Sequence, residues 1–363
     1  MSDKKEIPWV QNYTGFTQKI SFSCNKDIKD MQKRYIPEKA RFYRAFFHFR
    51  AVTFLSRNVD ENRLFRSQYQ QPEENMRRLK MKNDKEADNM DLHDFDDVAE
   101  NYDLYLGEMF KDEDNHAGFR EFYLDFAKRY GSGGVIDIAC GTGAVLLYLA
   151  EHGIMADGTD LSAAMCRVPD EKAKSKGYHL NIFPANMTEF RSDKKYSCAI
   201  IARSGFMHLL TPQLQRAALL NIRENLYDGG MLTFNTFDPQ PFFQAQQMNT
   251  KDTDYSFRLE YTNKKGLQEK IYNAISYDPY TQIMSGNWKF ETFDNNGNVV
   301  EERIRPLKMR QTYRQEMKYL LELTGYKIVN VYGGYHKESG AASANNVIWC
   351  VQKKNSLFWN AAY

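Results

Sequence analysis

Residues 135–143 read VIDIACGTG, an apolar run that reaches an acidic residue and then a loop with glycines at Gly141 and Gly143. A helical pattern, AVLLYLAE, starts at once at Ala144, and Asp160 closes a second short segment, IMADGTD, 17 residues past Gly143. A strand, a glycine turn, a helix and an acidic residue at the tip of the next strand make a nucleoside pocket. The glycines let a ligand approach the backbone with no Cβ in the way, and the Asp160 carboxylate can accept hydrogen bonds from both ribose hydroxyls. Further along, His208 suits proton removal near neutral pH, or it satisfies backbone groups at the start of a helix. Arg203 has the planar fork that clamps a carboxylate or phosphate, or it is an exposed cation beside an acid. Asp238 follows an apolar run at a position that fits either a sheet rim or the cap of a turn. Tyr313 and Arg314 fit the pocket or a solvated face equally well. Trp288, Phe290 and Phe293 read first as core and second as a wall against a substrate.

A dinucleotide fingerprint, G-x-G-x-x-G, needs a third glycine where this chain has Leu146. The spacing Ala139-x-Gly141-x-Gly143, with Asp137 two residues before Ala139, instead resembles the first motif of the class I S-adenosylmethionine-dependent methyltransferases. The ligand this implies is S-adenosylmethionine (SAM), with S-adenosylhomocysteine as product.

The elements that position these residues alternate as an α/β sheet does. Strands are expected at Val135–Ala139 and Met155–Thr159, with Leu180–Ala185 leading into a third, and at Ser197–Ala202 and Met231–Thr236. Thr211 and Pro212 suit the cap and first turn of a helix that runs to about Leu226 and is ended by Asp228-Gly229-Gly230. The pattern then changes to a period of two over Tyr255–Tyr261, Lys270–Tyr277, Met284–Phe293 and Val299–Leu307, with a hairpin turn at Asn295–Asn298. A helix over Gln311–Thr324, stopped by Gly325, and an antiparallel strand pair at Lys327–Tyr332 and Asn346–Gln352 finish the sheet. Before the first strand, 94–105 and 119–130 read as helices, 37–64 as a helix with Phe42, Phe46, Phe47, Ala51 and Phe54 on one face, and 68–91 as a polar linker or an exposed helix. The expected organisation is an N-terminal extension (1–90), a SAM-binding core (91–250), an antiparallel substrate cap (251–310), a helix and strands that complete the core sheet (311–353), and a tail (354–363).

Composition bounds the alternatives. The 363 residues carry a formal net charge of only +2, and no apolar run approaches the roughly 20 residues that span a bilayer. MSDKKEIPWV has no apolar signal stretch. The five scattered cysteines show neither metal spacing nor a disulfide framework, so no metal is expected and a reducing cytoplasm is the default. Charge is uneven: residues 1–90 hold 19 Lys and Arg against 12 Asp and Glu. Basic and aromatic residues interleave at Arg41-Phe42-Tyr43-Arg44 and Phe46–Arg50. That pattern fits an amphipathic helix packed on the catalytic domain, and it also fits a nucleic-acid strand held by phosphate contacts and stacking.

From about residue 94 to 353 the chain resembles the small-molecule class I methyltransferases, in the branch of the sugar N,N-dimethyltransferases and glycine-type N-methyltransferases. NYDLYL (101–106), VIDIACGTG, GTDLS, PANMTEF (184–190), ARSGFMHLL (202–210), LYDGGMLTFNTFDP and TYRQEMKYLLELTGYKIVNVYGGY carry the resemblance. It implies a Rossmann-like seven-stranded methyltransferase sheet with an antiparallel β insert and a helical N-terminal extension. It also implies that Asp137, Ala139, Gly141 and Gly143 line the methionine and ribose end of SAM, that Asp160 holds the ribose, and that Leu161, Asn186 and Met187 border the adenine. Tyr102 would lie over the reactive end as a lid, and Arg203, Ser204, Phe206 and His208 would line the opening where acceptor meets methyl. Arg203 and Phe206 depart from the sugar-methylating pattern, which opens the substrate class.

No Asn-Pro-Pro-aromatic segment or Pro-Cys pair marks a DNA methyltransferase of the amino or C5 type. The sequence therefore points to methylation of an amine or hydroxyl on a small molecule. Two alternatives stay open: an RNA methyltransferase docking through residues 20–80, and an inactive SAM-binding subunit that assembles through its extension.

Overall fold

Every residue of β1 (Val135–Ile138) is buried, so this strand belongs at the centre of a sheet covered on both faces. It pairs in parallel with β2 (Asp157–Asp160) on one side and β4 (Tyr196–Ile201) on the other. β3 (Ile182–Pro184) extends the sheet beyond β2, and β5 (Leu226–Phe237) extends it beyond β4. β11 (Asn346–Lys353) runs antiparallel to β5, and β10 (Tyr326–Tyr332) antiparallel to β11. The spatial order is β3-β2-β1-β4-β5-β11-β10. The chain leaves β1 in one direction and returns on its other side through β4, which opens a crevice at the carboxyl ends of these two strands.

This computed structural model describes residues 95–110, 118–237, 250–251, 253–339 and 346–355, all within the unit Asp84–Tyr363. The helix expected at 37–64, the segment 68–91, the basic aromatic residues, Asp238 and the tail beyond 355 lie outside the described residues.

Alternation along β1 assigns its side chains to two layers. Ile136 and Ile138 join Phe234 and Trp349 under α5 (Pro212–Asn225) and α6 (Arg314–Leu323). Val135 faces the other way, with Leu146 and Leu149 of α3 (Ala144–Glu151) and Phe122 and Phe126 of α2 (Phe119–Tyr130). Asp137 shares the strand face of Val135, so a carboxylate is carried into the apolar layer under α3. α4 (Ala163–Ser175) begins where β2 ends. Its cap, Ser162, accepts the Met165 N–H at 3.0 Å. Thr211 caps α5 by accepting the Leu214 N–H at 3.2 Å.

Several element boundaries and one turn assignment differ from the sequence reading. Residues 95–101 form turns, and the helix α1 spans Tyr102–Phe110. α5 ends at Asn225, before Asp228-Gly229-Gly230, because Leu226 already pairs with Tyr196. The next β4–β5 pair is Cys198 with Met231, so residues 227–230 form a bulge, with Gly229 at φ 78°. The last helix starts at Arg314 and not at Gln311.

The period-two segments form a second sheet, β6 (Ser256–Thr262), β7 (Gln268–Asp278), β8 (Ile283–Phe293) and β9 (Val299–Arg310), antiparallel throughout and in sequential order. Asp294 builds the β8–β9 turn by accepting the N–H groups of Asn296 and Asn298 at 2.9 and 2.8 Å. Tyr261, Ile271 and Phe290 of this sheet pack with Tyr105 of α1 and with Ala164 and Met165 of α4. The sheet is thereby held over the β2–α4 junction.

Candidate active site

The crevice at the carboxyl ends of β1, β2 and β4 is a cavity of about 550 Å³. At its floor the chain makes two strained turns. Ala139 and Gly141, after β1, have φ 56° and 52°, and Arg203 and Ser204, after β4, have φ 49° and 61°. Left-handed backbone at a non-glycine residue costs on the order of 1 kcal/mol or more and persists where the surroundings fix it. Here the two turns fix each other: a Cβ on Gly205 would lie 2.9 Å from the Ala139 Cβ.

Two carboxylates face this floor. Asp160 accepts the Gly141 N–H at 2.9 Å through Oδ2 and the Ser162 N–H at 3.0 Å through Oδ1. Burial raises its pKa, while the N–H groups of Ser162, Gly141 and Leu161 oppose the rise. Asp137 is only 1% exposed, and neither of its oxygens has a hydrogen-bond partner. Its pKa is pushed up to about 8, first by burial and then by the charge of Asp160. An orphaned buried anion is costly, and a cationic ligand group beside Asp137 would remove that cost. The remaining lone pairs of Asp160 fit a ribose diol, and a Cβ at Gly141 would meet nothing within 4 Å, so that position opens onto the cavity. Asn186 spends its Oδ1 on the Thr188 N–H and hydroxyl, at 3.0 and 2.9 Å, which leaves its Nδ2 donors for the edge of a base. These residues fit the adenosyl, ribose and amino groups of SAM.

The cavity brings together Tyr102, Asp137, Ala139, Gly141, Asp160, Leu161, Asn186, Met187, Arg203 and His208. Gly143 and Ser204 do not line it. Gly143 (φ 84°) serves packing, since a Cβ there would stand 2.5 Å from the Pro169 Cβ of α4. Ser204 is buried on Asn235, donating its N–H to Oδ1 at 2.9 Å and accepting from Nδ2 at 3.0 Å through its hydroxyl. Phe206 lies in the core against Phe234, 4.9 Å between ring centroids. Phe290 is buried in the second sheet beside Tyr105. Among the described residues no group of His, Cys, Asp or Glu could hold a metal ion.

Several residues at the cavity were not singled out in the sequence. α1 closes over it, with Leu106 and Gly107 joining Tyr102 on the wall. Asp103 accepts the Thr142 hydroxyl and the Lys172 ammonium, and Asp96 accepts the Ser162 hydroxyl. The leading segment is thus tied to the glycine loop and to α4 at both ends. Phe95 meets His208 edge-on at 5.4 Å and Tyr102 at 6.0 Å, and the Arg305 guanidinium lies over it at 4.0 Å. Phe119 carries the Arg203 guanidinium at 4.6 Å. From the second sheet, β9 contributes Pro306 and Lys308 to the wall. Burial, and then the charge of Arg305, lower the His208 pKa to about 4. Burial raises that of Tyr102.

Residues 135–230 match the model of a family described as "Methyltransferase domain". A protein of Geobacillus sp. (strain WCH70), named a methyltransferase by inference, is 27% identical over 256 residues, covering 69% of this chain and 97% of that protein. Among solved structures, a SAM-dependent methyltransferase from Clostridium acetobutylicum ATCC 824 superposes with a TM-score of 0.57 at 12% identity, covering 69% of this chain and 96% of that one. The sugar N-methyltransferase KedS8 from Streptoalloteichus sp. ATCC 53650 gives 0.52 at 16% identity, over 69% and 91%. The chain shares the Rossmann-like fold of these methyltransferases, and its residues 135–230 match the methyltransferase-domain model.

Proposed function

We propose that this protein transfers the methyl group of SAM to an amine or hydroxyl of a small molecule. One observation carries the proposal: a single cavity runs from the Asp160–Gly141 cradle into a chamber closed by α1 and β9. When bound, SAM supplies an electrophilic methyl group on a sulfonium, and its displacement needs alignment and the exclusion of water more than acid–base power. In this reading Asp160 grips the ribose hydroxyls, and the Asp137 carboxylate meets the ammonium of the methionine moiety. Tyr102, Phe95 and Phe119 keep water from the reacting end. His208, neutral at physiological pH with its pKa near 4, accepts a hydrogen bond from the nucleophile and orients it. It is too weak a base to drive proton removal at pH 7. The acceptor proton leaves to solvent after or during transfer.

Incubating the protein with methyl-labelled SAM and a cell extract tests this directly. Label in a low-molecular-mass product is the expected result. Label in RNA would favour the reading in which the N-terminal extension docks nucleic acid. Measurable SAM binding with no labelled product would favour an inactive binding subunit.

A further inference from the structure

The cavity is electrically divided. Its carboxylates, Asp103, Asp137 and Asp160, all belong to the adenosyl side, and Asp103 is already paired with Lys172. The opposite side is formed by the turn after β4 and by β9, and it contributes cations only. Arg203 and Lys308 line it. No carboxylate among the described residues pairs with Lys308. Arg305 sits behind Phe95, with its side chain 10% exposed, and its carboxylate neighbour among the described residues, Asp97, is half-exposed and shared with Arg303. The Arg305 Nη2 is buried and has no hydrogen-bond partner.

Resting on the proposed methyl transfer, we infer that the acceptor carries an oxyanion, a carboxylate or a phosphate, which Arg203 and Lys308 hold while Arg305 adds its field. An ammonium would be repelled at this end. An amine placed there is biased toward its neutral form, because nearby cations disfavour the protonated one. That bias delivers a nucleophilic lone pair without a strong base, which matches the neutral His208 imidazole on the cavity wall. Guanidinium and ammonium groups also select differently: the Arg203 fork suits a planar or tetrahedral oxyanion bidentately, and Lys308 acts as a movable point charge from the mouth.

Calorimetric titration at low salt tests the inference, with S-adenosylhomocysteine-saturated protein and three probes: inorganic pyrophosphate, citrate and ethanolamine. The expected result is saturable one-to-one binding of pyrophosphate or citrate and none of ethanolamine. Binding should weaken at least tenfold in Lys308→Met and further in Lys308→Met with Arg203→Met, while homocysteine-product affinity in Lys308→Met stays at the wild-type value. Preference for pyrophosphate assigns a phosphate ester, and preference for citrate assigns a carboxylate. Absence of anion binding, anion binding unchanged by both variants, or equal binding of ethanolamine would overturn the inference. Repeating the anion titrations without the homocysteine product separates the two claims. If the wild type fails to bind that product, the methyl-transfer proposal falls, and the anion result still stands or falls on its own data.

Discussion

Asp137 is a buried carboxyl group whose oxygens have no hydrogen-bond partner. Its carboxyl titrates near 8 against an ordinary value of 3.8, so between these values the folded protein holds a proton that the unfolded chain has released. Stability of the ligand-free protein should therefore fall as pH rises from about 4 to about 8. A bound cation reverses the preference. SAM affinity should rise over the same window, by up to about tenfold per pH unit where one proton is released on binding. Asp137→Asn should abolish that rise in calorimetry, weaken SAM binding, and stabilise the ligand-free protein at pH 8 by ~1–3 kcal/mol, because an unsatisfied buried charge is gone. A pH-independent SAM affinity in the wild type would remove Asp137 from cofactor binding. His208 poses the opposite case. With its pKa lowered to about 4, this residue should give the proposed methyl transfer no limb between pH 6 and 7. His208→Ala should slow turnover and leave SAM affinity unchanged; an unaltered rate would take His208 out of the chemistry.

At the scale of elements, the two glycines of the β1–α3 loop do different work although the sequence presents them as a pair. Gly141 opens on the cavity, while Gly143 lets Pro169 of α4 approach the loop. Gly141→Ala should cost ~1 kcal/mol of stability from its left-handed backbone and impair SAM binding by intruding on the ligand. Gly143→Ala adds the overlap with Pro169 and should cost ~2–4 kcal/mol in denaturant unfolding. Equal stability losses would contradict this division. α1 forms one wall of the cavity. Asp103 ties it to Thr142 and Lys172, so Asp103→Asn should speed release of S-adenosylhomocysteine several-fold in stopped-flow measurements without altering the fold. An unchanged release rate would mean that α1 does not gate the cavity.

For the molecule as a whole, the sequence was most legible where local pattern and tertiary role coincide. β1 and β4 are apolar runs because they are central strands, Thr211–Pro212 is a cap because the next helix starts there, and Asn295–Asn298 turns wherever it is placed. Legibility failed where the answer depends on direction or on distance along the chain. Ser204 lies next to Arg203 in sequence, yet the left-handed backbone sends its hydroxyl to Asn235. The ties from Asp103 to Thr142 and from Asp96 to Ser162 bridge residues 39 and 66 positions apart. They leave no local signal, so of this segment only Tyr102 could be anticipated at the cavity. Asp228-Gly229-Gly230 looked like a helix stop because glycines end helices, whereas here they form a bulge in a strand whose partner was not visible locally. Lys308 was hidden by the alternation of β9, which reveals a sheet but not what that sheet roofs.

The claim that supports all of this is that the Asp160 carboxylate grips an adenosyl ribose beside Gly141. Calorimetric titration of S-adenosylhomocysteine into the wild type and into Asp160→Ala tests it most directly. The account predicts one-to-one binding by the wild type and a loss of at least tenfold, about 1.4 kcal/mol, in the variant. Equal affinity in the two proteins, or no binding by the wild type at millimolar ligand, would contradict it.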